Sequence, residues 1–194
     1  MLEKLPDAFG RALRERRAGL DQLLVNRLQL GGGQGLILVT SPAFADQAPM
    51  PSRHTADGDG LSPPLAWTQI PPTAESLLIV VEDADAPTPH PLVHAIAVDL
   101  PPHLSALPEG ALNAAGADAG AHLHLHLGRN SYLRADWLPP DPPPGHGPHR
   151  YAFQVFALNA PSGLSGAPGR DAVAKLLGDY ALASGCLIGT YERG

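Results

Sequence analysis

Tyr151-Ala152-Phe153-Gln154-Val155-Phe156-Ala157-Leu158 is the run that decides the fold, and it is entered through Gly147-Pro148-His149-Arg150. Its residues alternate with a period of two and favour a pleated, half-buried backbone, so the run predicts a β-strand. Three more short apolar runs share this grammar upstream: Leu36–Thr40, Ser76–Val81 and Val93–Val98. Cys186–Tyr191 reads as a last strand. Proline clusters at 62–72, 87–91, 101–108 and 139–148 separate the runs and mark ordered loops. Residues 170–183 return to helical spacing through Val173, Leu176, Leu177 and Tyr180. Many short strands with Pro/Gly turns predict a mainly β protein, an antiparallel β-sandwich with peripheral helices.

Outside this region, residues 7–30 predict an added amphipathic helix. Leu13, Leu20, Leu24 and Leu28 recur at helical spacing, Asp7 is placed to cap, and Gly31–Gly33 stop it. The division is then a helix and Gly-rich linker over 1–35, followed by a sandwich domain over 36–194. An apolar helical face on an appended segment needs burial, which predicts a helix laid on the domain surface or used in self-association, with a basic membrane-surface helix as the alternative.

Composition narrows the function. The 194 residues carry 13 Lys and Arg against 19 Asp and Glu, a net charge of −6. Residues 1–30 hold a balance of +2, which leaves −8 for the remainder. Without a basic stripe, nucleic acid is not an expected partner. Cys186 is the single cysteine, so no intrachain disulfide forms. No signal peptide and no 18-residue apolar span is readable, so integral membrane association is not expected and the cytoplasm is the default location. No cofactor motif is present: Gly31–Gly35 precedes a strand instead of opening a helix, and Ser41, Ser62 and Ser131 lack a nucleophile elbow.

Three constellations carry chemistry. Glu82-Asp83-Ala84-Asp85-Ala86-Pro87 sits where an apolar strand runs into a proline-rich loop. Its carboxylates need solvent, cations or backbone N–H donors. It reads either as an acidic turn or as a displayed site. His94 lies near the start of an apolar strand, as a satisfied core histidine or as a partner for Asp83 across neighbouring strands. The rigid loop Pro142–Pro148 delivers His149 to the mouth of the deciding strand, with Arg150 on the opposite side, suited to holding the acidic loop. A fourth feature, His122-Leu123-His124-Leu125-His126, would place three imidazoles on one strand face about 7 Å apart. His122, His124 and His126 are therefore candidate metal ligands, with a polar strand face as the alternative.

In order along the chain, Ser62-Pro63-Pro64-Leu65-Ala66-Trp67, Asp83-Ala84-Asp85-Ala86-Pro87, Val93-His94, Leu107-Pro108-Glu109-Gly110 and Gly147-Pro148-His149-Arg150-Tyr151 resemble the phosphatidylethanolamine-binding protein family, also called Raf-kinase-inhibitor-like. Leu187–Tyr191 is similar to its bacterial branch, and the likeness spans roughly residues 36–192. The resemblance implies a β-sandwich whose small pocket binds phosphate, a phospholipid head group or another small anion. It implies Asp83, His94, His149 and Tyr151 as pocket residues, and Asp85 and Pro87 as the rim loop, often shaped by a cis proline. It also implies a homodimer and, for some members, a kinase or protease as protein partner. An alternative is an enzyme using Asp83, His94 and His149 for acid–base chemistry such as dehydration, isomerisation or cyclisation. The chain departs from the family pattern at Ala95, where an aromatic is frequent, and at Asp141, where glycine is usual. An inward carboxylate at Asp141 would oppose an anion.

Overall fold

The computed structural model describes residues 6–28, 35–114 and 124–193. Ten strands occur among them: β1 (Gly35–Leu36), β2 (Leu38–Thr40), β3 (Ala48–Pro49), β4 (Leu65–Thr68), β5 (Ser76–Asp83), β6 (Leu92–Leu100), β7 (Ala106–Leu107), β8 (His126–Gly128), β9 (His149–Leu158) and β10 (Ala181–Tyr191). The helices are α1 (Asp7–Leu13), α2 (Leu24–Arg27) and α3 (Arg170–Tyr180). A seven-stranded sheet runs β1-β10-β9-β5-β6-β8, with β3 also paired to β10; a three-stranded sheet runs β2-β4-β7.

Between the two sheets lies the main core. Val39, Leu65, Trp67 and Leu107 of the small sheet meet Leu77, Ile79, Val81, Phe153 and Val155 of the large one. The other face of the large sheet buries Leu78, Val80, Ile96, Val98 and Phe156 under Val173, Leu176 and Leu177 of α3. β5 is thus covered on both faces and all eight of its residues are buried, which explains its continuous apolar run.

The run 36–40 is two strands rather than one, because the chain crosses from the large sheet to the small one at Ile37. Gly185 makes the crossing possible, since a Cβ there would overlap the Ile37 carbonyl.

The continuous helix expected over 7–30 is not formed. After α1 the chain runs irregularly to a single 3-10 turn at Leu20–Gln22, and then into the short α2. Gly19 sits at φ 101 and Leu23 is extended. Tertiary hydrogen bonds override the leucine period: Ala18 N–H donates to Ala86 O and Gly19 N–H to Ala84 O. Leu24 N–H and Val25 N–H donate to the side chains of Glu82 and Gln154. Leu23 and Leu24 are buried against the sheet of their own chain. The segment is thus laid on the domain surface, with Leu23 and Leu24 covered there and Phe9 left exposed.

Candidate functional site

The site forms where β5, β6 and β9 end together. Asp83 pairs in register with Tyr151, which puts His149, two residues earlier, on the same face of the sheet. His149 Nδ1–H donates to Asp83 Oδ2 at 2.7 Å, while Asp83 Oδ1 accepts from Asp85 N–H at 2.8 Å. The partner of Asp83 is thus His149 rather than His94. In the β5–β6 ladder Val81 faces Ala95 but Glu82 faces Val93, so His94 is the extra residue of a bulge. A bulge re-aims a side chain. This one turns His94 towards Trp137 and Tyr151, with ring centroids at 6.0 and 5.1 Å, and its Nδ1–H donates to Leu138 O at 2.5 Å. His149 stacks on Tyr151 at 6.3 Å.

The structure brings Asp83, His94, His149 and Tyr151 together and leaves Asp85 and Pro87 outside the cluster. Asp85 points to the opposite side, where Arg150 Nε and Nη2 grip its two oxygens at 2.7 and 2.6 Å and Arg17 Nη1 adds a contact at 2.8 Å. Burial by itself would raise the Asp85 pKa, but the Arg150 and Arg17 hydrogen bonds outweigh it and hold the carboxyl at about 2. Pro87 is half-buried at the outer end of the loop. No peptide bond among the described residues is cis. The rim is shaped instead by the Asp83–Asp85 turn and the grip of Arg150.

Two participants were not singled out from sequence. His146 extends the Asp83–His149 pair: its Nδ1 lies 2.8 Å from His149 Nε2, and its Nε2 lies 2.9 Å from Leu13 O. Gly145 and Gly147, both at positive φ, turn the loop so that this histidine faces inward. The available signal was the Gly-His-Gly spacing three residues before His149. Trp137 is the second, with a buried indole N–H that has no hydrogen-bond partner.

Asp141 is held in an ion pair at 2.6 Å with Arg193, which also binds Asp57. Its charge is therefore matched by a cation of the last strand's extension. In the histidine-rich segment, His122 lies outside the described residues. His126 bonds Gly166 O and lies 3.5 Å from Asp99. Among the described residues no three His, Cys, Asp or Glu side chains are placed to hold a metal ion.

The environment is closed. Asp83, His94, His146, His149 and Tyr151 are each at most 4% exposed. Burial pushes His94 below the ordinary histidine range, against the opposing pull of Asp83. Burial and the neighbouring His149 do the same to His146. Burial and Asp83 push the Tyr151 phenol well above its ordinary value. A cleft of about 540 Å³ opens elsewhere, between residues 88–93, residues 129–133 and the start of α3, and none of these five side chains lines it.

A two-sheet sandwich carrying a buried Asp–His–His cluster at the ends of β5 and β9 defines the class. Residues 40–192 match the phosphatidylethanolamine-binding protein family. The chain is 33% identical over 163 residues to a UPF0098 protein of Pyrococcus horikoshii, covering 84% of this chain and 80% of the relative. It is 36% identical over 157 residues to a UPF0098 protein of Mycobacterium bovis, covering 81% and 71%. Its fold is similar to that of a phosphatidylethanolamine-binding protein homologue from Chlamydia trachomatis, with TM-score 0.72, 29% identity and coverage of 82% of this chain and 99% of that one. For E. coli YbcL the TM-score is 0.73 at 26% identity, with coverage of 81% and 99%. This chain belongs to the phosphatidylethanolamine-binding protein family. Among the described residues no helix is long and apolar enough to cross a membrane.

Proposed function

We propose that the chain binds a small phosphate- or carboxylate-bearing molecule, a phospholipid head group among them, in its monoprotonated form, beside His94 and Tyr151. The observation that carries this reading is His94 Nε2, which is buried without a hydrogen-bond partner. Because Nδ1–H is committed to the Leu138 carbonyl, Nε2 presents a lone pair. An unpaired buried acceptor costs free energy and is satisfied by a ligand that donates. A hydrogen phosphate monoester or a carboxylic acid brings such an O–H together with acceptor oxygens for the Trp137 N–H. The pairing of Asp141 with Arg193 supports an anion here, because the carboxylate is compensated.

The acid–base enzyme reading is less well supported. His149 Nε2, the nitrogen that would move a proton, is occupied by His146.

Calorimetric titration with phosphoethanolamine tests the proposal. Binding should be tighter at pH 5.5 than at pH 8, because the second phosphate ionisation, near 6, removes the donating O–H. His94→Phe should lose about 1–3 kcal/mol. A His94→Phe protein that binds as tightly as wild type at pH 5.5 would overturn it.

A further inference from the structure

Three hydrogen bonds in line connect Asp83 to the N-terminal segment: Asp83 Oδ2 to His149 Nδ1, His149 Nε2 to His146 Nδ1, and His146 Nε2 to Leu13 O. Their proton count is constrained. The Leu13 carbonyl can only accept, so His146 Nε2 must carry a hydrogen. A neutral His146 then has a bare Nδ1, so His149 Nε2 must carry one too. The third hydrogen lies between His149 Nδ1 and Asp83. Three protons are shared by a carboxylate and two imidazoles, which hold only two when both rings are neutral. The complete chain therefore contains one extra proton, as an imidazolium–carboxylate pair or its equivalent.

If that proton is removed, one link fails. The Asp83–His149 bond keeps its hydrogen, because the carboxylate is the strongest acceptor present. The loss falls on the two outer links, and either tautomer of His146 leaves two lone pairs facing each other, at His149 or at Leu13. We infer that residues 6–19 form a proton-linked strap over the Asp83–His149 site, latched at Leu13 by His146 and released as that proton is lost.

The packing fits a strap. Gly10 of α1 lies on the loop so closely that a Cβ would overlap the Pro144 carbonyl, and the Asp7 carbonyl crosses Gly145. Arg17 donates to His146 O and Pro148 O and contacts Asp85. Asp85 stays ionised near neutrality, so this end is a constant hinge. The charges around the latch are Asp83 from β5, His94 from β6, Tyr151 from β9, and Arg14 and Arg17 from the strap beside Gly147. Arg150 is spent on Asp85, and the Asp141–Arg193 pair lies behind Tyr151. His94 stays neutral through burial and Tyr151 stays protonated. The extra proton of the closed line therefore belongs to the Asp83–His149–His146 unit. Because the closed line holds one proton more than its neutral groups do, closure takes up a proton wherever the open histidines are neutral, and it weakens as pH rises.

The strap regulates the same site as the proposed ligand pocket and takes its functional meaning from that reading, but the latch is measurable without ligand. Hydrogen exchange of the full chain, corrected for intrinsic rates, should show protection across residues 7–14 falling roughly tenfold between pH 6 and pH 8.5. In His146→Phe, which keeps a ring but no polar atom, protection should be low and independent of pH. Nitrogen NMR of the histidines in the wild type should show His146 protonated at Nε2 alone at pH 6. Flat wild-type protection, an equal fall in His146→Phe, or protonation of His146 at Nδ1 at pH 6 would each overturn the strap. Phosphate titration alongside separates the two readings: switching protection without phosphate binding removes the ligand proposal and keeps the latch, whereas phosphate binding with flat protection does the reverse.

Discussion

Arg17 and Asp85 meet at 2.8 Å where the N-terminal segment crosses the rim loop, and the Asp85 carboxyl is fully buried between Arg17 and Arg150. The rim of the site and the segment that covers it are thus held by one carboxylate.

Stability should depend on that carboxylate in acid. Its pKa is depressed to about 2 from the ordinary aspartate value. The contribution, about 2 kcal/mol, is present above the unfolded value and lost as pH falls through the folded one. Asp85→Asn should destabilise by about 3–5 kcal/mol at pH 6, because two guanidinium groups lose their buried partner. Urea unfolding of both proteins from pH 6 to pH 2 checks this: their difference should shrink on acidification.

Gly10→Ala should loosen α1, although alanine favours a helix by about 1 kcal/mol over glycine. The added methyl would overlap the Pro144 carbonyl, and this contact outweighs the propensity. Limited proteolysis should cut residues 6–19 faster in the variant, while the cooperative unfolding of the sandwich is retained.

Residues 36–194 expressed alone should fold as the sandwich but with lower stability. Removing residues 1–35 exposes the surface that buries Leu23 and Leu24. It also takes backbone donors from Glu82 and Gln154. Two buried leucines alone are worth about 3–6 kcal/mol. Denaturant midpoints of the full and shortened chains test this; equal midpoints would show that the N-terminal segment contributes nothing.

Burial pushes the Cys186 thiol up to about 12. At pH 8 the thiolate fraction is roughly one in ten thousand, so the cysteine should resist a disulfide reagent until the chain unfolds. Rapid native-state labelling at pH 8 would contradict this.

The homodimer expected from the family resemblance needs an apolar surface other than residues 20–28. Leu36 and Leu38 are 72% and 50% exposed and offer one. Leu36→Glu with Leu38→Glu should shift the mass seen by light scattering at micromolar concentration towards the monomer. A dimer of unchanged stability would exclude this edge.

Much of the fold was legible because its signals are local. The apolar runs at 76–81, 93–98 and 151–158 lie within β5, β6 and β9, since a strand buried on one or both faces must be written in apolar residues. The helical spacing at 170–183 is the α3 region for a like reason: one face lies on the sheet. The opposite facings of His149 and Arg150 follow from a strand period of two. The short strands β3, β4 and β7 went unread, β4 and β7 because they lie in proline clusters taken for loops, and all three because two to four residues carry no period. The leucine period of 7–28 misled, because it recorded burial on the domain surface but not the tertiary hydrogen bonds of Ala18 and Gly19, which take the chain out of the helix after Leu13. Which histidine pairs with Asp83 was decided only in three dimensions. It depends on a bulge at His94 and on the register of β5 with β9, and neither has a sequence period. The chain from Asp83 through His149 and His146 to Leu13 joins three segments far apart in sequence. Such a hydrogen-bonded line exists only once the sheet, the glycine-turned loop and the N-terminal segment have packed together, so its proton count belongs to the tertiary structure alone.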